Sequence, residues 1–199
     1  MTLSTLLTKR LGIAHPIIQG GMHYVGYAPL AAAVSNAGAL GVVTALTKPD
    51  AAGLRLEIQK TRALLRSVDV PIGVNLTVLP QLKNVDYATM VDVIIEEGIP
   101  MVETAGSPKC AELWEMLKSQ NSDVCIIHKC TTIRHALKAQ ALGVDMISLD
   151  GSALHAMHGN GMDAQIDAAA CHVTSTPSPH SPPGPCLASP PTPLPLSLT

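Results

Sequence analysis

Six short runs rich in β-branched residues alternate with five stretches of helical period over the first 151 residues, and few folds accept that rhythm. The runs lie at residues 16–20, 40–46, 72–78, 101–105, 124–129 and 146–150. Helical spacing fills residues 28–37, 50–65, 87–97, 109–119 and 133–142. Gly38, Gly98 and Gly143 stand where three of these helices must turn into the next strand. Repeated strand–helix–strand crossovers build a parallel sheet, so the expected class is α/β, either a (β/α)8 barrel or a doubly wound sheet. A complete barrel needs eight strands and roughly 250 residues. Six strands are legible here.

Beyond residue 151 the composition changes. Residues 152–199 contain no Lys or Arg, and Asp163 and Asp167 are their only acids. From Thr174 the text reads TSTPSPHSPPGPCLASPPTPLPLSLT, in which dense proline removes backbone donors and fixes φ. A disordered or polyproline-like tail is expected over 174–199, after a divergent segment at 152–173.

The remaining composition narrows the function. The chain is 47% hydrophobic and 14% charged, with a formal net charge of -2 and no basic run, which disfavours nucleic acid or an anionic membrane as partner. Its apolar stretches fall far short of the roughly 20 residues that cross a bilayer, and the N-terminus lacks a secretory pattern, so a cytoplasmic protein is expected. Five cysteines without a CxxC pair suit free thiols in a reducing compartment. A small-molecule partner is the expectation.

In parallel α/β folds, ligands collect where strands end, and these strands end on single polar groups. The first ends in Gln19-Gly20-Gly21-Met22, the third carries Asn75, the fourth Glu103-Thr104, the fifth His128-Lys129 and the sixth Asp150-Gly151. Each has two readings. Gly20-Gly21 makes either a tight turn or a close backbone approach to a planar ligand. Asn75 faces a ligand or joins an internal network, since an unpaired buried amide costs about 1–3 kcal/mol. Lys129 answers an anionic ligand or pairs with Glu103 or Asp150. His128 reads better as a hydrogen-bonded core histidine than as a base, and Met22 could lie against a ring. The HxxH pair His155 and His158 lacks a ligand-rich partner segment, so no metal is expected.

The segments PIIQGGMHYVGYAPLAAAVSNAGALGVVTALT, PIGVNLTVLP, VETAGSP and IIHKCTTIRHALKAQALGVDMISLDG occur in this order over about residues 6–151. Together they resemble the nitronate monooxygenase family, also called 2-nitropropane dioxygenases. The resemblance implies a TIM barrel with non-covalent FMN at the C-terminal ends of the strands, and residues 1–151 as part of that barrel. It places Gly21, Met22, His23, Asn75, Lys129, Asp150 and Gly151 around the flavin, with Lys129 near the pyrimidine edge. It implies oxidation of alkyl nitronates with O₂, giving a carbonyl product and nitrite. A subgroup with nearly the same motifs resembles NAD(P)H:quinone reductases, and the residues Val78-Leu79-Pro80-Gln81 are similar to its loop. The motifs stop after Leu149-Asp150-Gly151. The family's catalytic-histidine segment has no counterpart in residues 152–158, so no catalytic residue is assigned. The glycine-rich turns that hold the FMN phosphate are also without a counterpart. The expectation is a barrel truncated to about six N-terminal βα units, impaired in folding and in FMN binding, or a non-catalytic fragment.

Overall fold

The computed structural model describes residues 3–48, 50–78, 85–106, 110–149 and 174–175. Five parallel strands, β1 (Gly41–Thr44), β2 (Ile72–Val78), β3 (Met101–Gly106), β4 (Cys125–Cys130) and β5 (Met146–Leu149), lie in chain order across one sheet. A sixth, β6 (Thr174–Ser175), pairs antiparallel with β5 at the edge. The helices are α1 (Leu6–Leu11), α2 (Ala28–Asn36), α3 (Ala51–Ala63), α4 (Tyr87–Glu96), α5 (Cys110–Gln120) and α6 (Ile133–Ala141). The expected α/β alternation is the architecture observed, with Gly38, Gly98 and Gly143 all at positive φ in the helix-to-strand turns.

One expectation needs correction. Residues 16–20 do not form a full strand; they make a single parallel bridge, Ile18 to Leu40. Pro16 has no N–H to give a ladder, and beyond Gln19 the two glycines turn the chain away. The Gln19 side chain takes over as a surrogate peptide group, its Nε2 donating to Val42 O at 3.1 Å and its Oε1 accepting from Val42 N–H at 3.1 Å. At the start of the proline-rich stretch, Thr174 and Ser175 pair with β5 as β6. They precede Pro177, keep their own donors, and occupy an edge where a short strand is tolerated.

Alternation along the strands separates two apolar layers. On the helix side, Val74, Leu76, Val102 and Ile126 meet Leu54, Ile58, Ile94, Leu113 and Leu117. On the other side, Val42, Met101, Cys125, Ile127 and Met146 meet Leu7, Leu11 and Ile13 from α1 and its exit turn. Helix α1 closes this inner face. It is held by a capping box between Thr5 and Thr8 and ended by Gly12 at φ 66°. Helix α2 lies so close to β1 that a Cβ on Gly41 would come within 1.8 Å of the Ala31 carbonyl oxygen. Helices α2 to α5 pack side by side in turn, whereas α6 rests on β4 and β5.

Candidate active site at the strand ends

Because side chains alternate along a strand, Asn75, Glu103 and Lys129 project to the inner face, while Thr104 and His128 project toward the helices. Register brings the first three together: Asn75 lies opposite Glu103 in the β2–β3 ladder, and Glu103 lies opposite Ile127, two residues before Lys129. Glu103 is the centre of the group. Its buried carboxylate accepts the Gly21 N–H at 2.7 Å and an Asn75 Nδ2 hydrogen at 2.8 Å, and pairs with Lys129 Nζ at 3.4 Å. Asn75 Oδ1 in turn accepts from the Thr77 hydroxyl at 3.0 Å. A carboxylate taken out of water in this way is tolerable only because cation and N–H donors surround it.

The first loop folds over this cluster. Met22 N–H donates to Thr44 Oγ1 at 2.9 Å, tying the loop to the end of β1. His23 sits 3.2 Å from the Leu46 carbonyl through Nε2 and stacks on Tyr24 with centroids 4.0 Å apart. Tyr24 takes φ 59°, a left-handed conformation costly for a bulky residue. Met22 is 39% exposed, so its thioether is open to a ligand. Both glycines are explained by their neighbours. A Cβ on Gly21 would lie 2.2 Å from Asn75 Cγ, and one on Gly20 would lie 3.2 Å from Lys129 Nζ and 3.3 Å from Glu103 Oε1. Below them, a cavity of about 390 Å³ runs along the inner face between Gly20, Glu103, Lys129 and Ser148 at one end and Leu7 and Met101 at the other.

Gly21, Met22, His23, Asn75 and Lys129 thus converge on one end of the sheet. Asp150, Gly151, His155 and His158 lie outside the described residues, as do residues 79–81 of the reductase-like loop. For Asn75 and Lys129, the internal network and the Glu103 ion pair are present. His128 is on the opposite face, bonded through Nδ1 to Thr104 Oγ1 at 2.9 Å and edge-on to Trp114 at 4.9 Å. Burial, more than its neighbours, pushes its pKa down. The sequence set Glu103 among the polar strand-end groups and as a partner for Lys129, not at the centre of the cluster. The signal for its central place was an acid inside the apolar run Met101-Val102-Glu103, which must find several donors if the strand is buried.

The sequence model of the nitronate monooxygenase family matches residues 4–174. The chain belongs to the nitronate monooxygenase family. The match continues past Gly151, the last residue of the motifs quoted above. Among curated relatives, the (3aS,4S,5R,7aS)-5-hydroxy-7a-methyl-1-oxo-octahydro-1H-indene-4-carboxyl-CoA dehydrogenase of Rhodococcus jostii (strain RHA1) is 33% identical over 150 residues, covering 75% of this chain and 39% of the relative. A probable nitronate monooxygenase of Staphylococcus saprophyticus is 29% identical over 185 residues, covering 76% of this chain and 50% of the relative. Among solved structures, FabK from Thermotoga maritima superposes with a TM-score of 0.63 at 30% identity, covering 73% of this chain and 43% of that one. The chain therefore spans half or less of the length of these relatives. The family is one of flavin-dependent oxidoreductases with a TIM-barrel fold, and the parallel strands and alternating helices described above are its α/β arrangement. Among the described residues, no helix is long and apolar enough to cross a membrane.

Proposed function

We propose that this chain carries the flavin-ring half of an FMN-dependent nitronate monooxygenase site, with Gly21, Met22, His23, Asn75 and Lys129 around the ring and Asp150 and Gly151 completing its rim. The observation that carries this reading is the Glu103-centred cluster at the strand ends, which fixes a cation at the wall of the 390 Å³ cavity and bonds the Asn75 amide to the Glu103 carboxylate that lines it. The donor set fits a flavin ring. Lys129 offers positive charge to its electron-rich pyrimidine edge, Asn75 offers an amide, and Met22 offers a soft apolar contact. Gly20 keeps the space above the Lys129–Glu103 pair free of a side chain.

When bound, FMN supplies the electron acceptor for a nitronate and the donor to O₂. The protein's part is positional. Glu103 holds the Lys129 ammonium in place, the Gly21 N–H and Asn75 anchor the carboxylate, and Thr44 holds the Met22 backbone against the site. A second reading, hydride or dehydrogenation chemistry at the same site with NAD(P)H and a quinone, is favoured by the 33% identity to a relative named as a dehydrogenase.

Titrating FMN into the chain and following flavin fluorescence tests the cofactor. Weak quenching that saturates only at high FMN is expected of a site that holds the ring alone, weakened further by about tenfold or more in Lys129→Met by loss of a charged contact. No quenching, or equal affinity in the variant, removes the assignment. Turnover of propionate 3-nitronate under air supports the monooxygenase. NADH consumption with a benzoquinone and none with the nitronate supports the reductase.

A further inference from the structure

Helices α2 to α5 each bury four residues, whereas α6 buries Ala139 alone. Its large apolar side chains stand at the surface: Ile133 and Leu137, four residues apart, are 74% and 61% exposed. Arg134 and Lys138 follow them at the same spacing and flank this stripe on one side. The helix has no acid, and neither cation makes an ion pair among the described residues. His135 and Leu142 line the gap toward α5, so the stripe, about half a turn round the helix, looks toward the β5–β6 edge of the sheet.

The chain returns to that edge. Residues 150–173 lie outside the described residues, but both flanking positions are fixed: Leu149 ends β5, and Thr174 starts β6 opposite Ile147, antiparallel. The segment therefore leaves and re-enters the sheet at the same end of the same edge. Helix α6 joins the end of β4 to the start of β5, so it runs from the strand ends to the strand starts. A segment that descends beside the sheet and climbs back as a helix runs antiparallel to α6 and arrives at Thr174. Residues 150–161 span up to about 40 Å when extended, and nine helical residues rise about 14 Å, so the length suffices.

Residues 162–170 supply a matching pattern. They read Met-Asp-Ala-Gln-Ile-Asp-Ala-Ala-Ala, rich in the best helix former, with Met162 and Ile166 four apart and an aspartate after each. Asp163 and Asp167 are the only acids of residues 152–199. This stretch and α6 thus carry the same arrangement with opposite charge. Antiparallel helices that meet on such stripes bring their charged flanks to the same side, whereas parallel helices set them on opposite sides. A second copy of α6 on the stripe would place cation against cation.

We propose that residues 162–170 form a helix that docks antiparallel on α6, Met162 and Ile166 covering Ile133 and Leu137, with Asp167 beside Arg134 and Asp163 beside Lys138. The docking carries the chain from β5 back to β6 and is independent of the flavin assignment.

Hydrogen exchange of the full chain, read peptide by peptide, tests it. Amides of residues 164–170 should exchange on the order of a hundredfold more slowly than in an unstructured chain. Leu137→Asp should abolish that protection while β2 to β4 keep theirs, because Leu137 is exposed in the described fold. Arg134→Asp should lower the protection by about threefold or more, and Asp167→Arg in the same chain should restore it. The charge-reversal pair decides by itself should Leu137→Asp also loosen the strands. Exchange of residues 164–170 at unstructured rates in the parent overturns the proposal, as does protection that survives Leu137→Asp or a second reversal that restores nothing. Protection that rises with protein concentration assigns the segment to the α6 of another molecule and also overturns it.

Discussion

Gly21 illustrates how a single position depends on its neighbour across the sheet. Its N–H reaches Glu103 only because no side chain stands between its Cα and Asn75, and a Cβ there would overlap the Asn75 side chain at 2.2–2.6 Å. Asn75 cannot swing away freely, since it is bonded to Glu103 and Thr77. Gly21→Ala should therefore displace the loop, break the Gly21–Glu103 hydrogen bond and destabilise the chain by about 1–3 kcal/mol. A urea unfolding midpoint unchanged from the parent would show that Asn75 yields at little cost. The cysteines show the opposite case, residues whose surroundings suppress their chemistry. Burial pushes the Cys110 thiol up to about 12 and the Cys125 thiol up to about 11, which makes both packing groups rather than nucleophiles.

Among the elements, α2 has an unusual start. Its N-cap, Tyr27, makes no side-chain cap hydrogen bond, and the carboxylate of Glu57 on α3 reaches across to accept the Ala28 N–H at 2.8 Å. Lys48 completes the arrangement at 2.6 Å from Glu57 and lies over the Tyr27 ring. Burial by itself pushes the Glu57 carboxyl up. The hydrogen bonds from Lys48 and the Ala28 N–H, with the charges of Lys48 and Lys60, outweigh it and leave the pKa below the ordinary value. A carboxyl whose folded pKa is depressed adds stability above its unfolded value, near pH 4.3, and loses it as the pH falls through the folded value. Glu57→Gln should thus be about 1–3 kcal/mol less stable than the parent at pH 7. That gap should narrow as the pH is taken below about 4, which urea titrations of both proteins at several pH values will show. A gap constant with pH would mean that the hydrogen bond, and not the charge, is what α2 requires.

At the scale of the whole molecule, the sheet separates two cores that share no side chain among the described residues. Leu54 belongs to the helix-side layer, and Leu11 to the inner layer closed by α1. Either residue changed to Ala should cost about 2–5 kcal/mol, the usual range for a buried leucine. With the sheet between them, the two losses should add to within about 0.5 kcal/mol in the double variant. A larger deviation, read from denaturant unfolding, would mean that the layers communicate through the strands. The inner layer is the smaller of the two and depends on a six-residue helix for its cover. It also lines the cavity beneath the proposed flavin-ring site, so the same measurement in the presence of FMN tests whether a ligand stiffens that face.

The sequence by itself determined the order of the elements, because β-branched runs, helical periods and the closing glycines are local signals whose physics acts within a few residues. It also carried the family, through motifs spread over most of residues 6–151, and the convergence of Gly21, Met22, His23, Asn75 and Lys129 on one end of the sheet. What it left open was the partner of each polar group. Helix α1 was not legible, since six residues give too short a period to read, and its cap at Thr5 and stop at Gly12 act only once Leu7 and Leu11 have an inner face to cover. The failure of residues 16–20 as a strand depends on the Gln19 amide replacing a backbone rung on Val42, a contact between residues 23 apart in the chain. The place of Glu103 at the centre of the site depends on register, which sets Asn75 opposite it on one side and carries Lys129 to it on the other. Side-chain pairing across strands is a long-range choice among several acceptable local ones, and only the assembled sheet makes it.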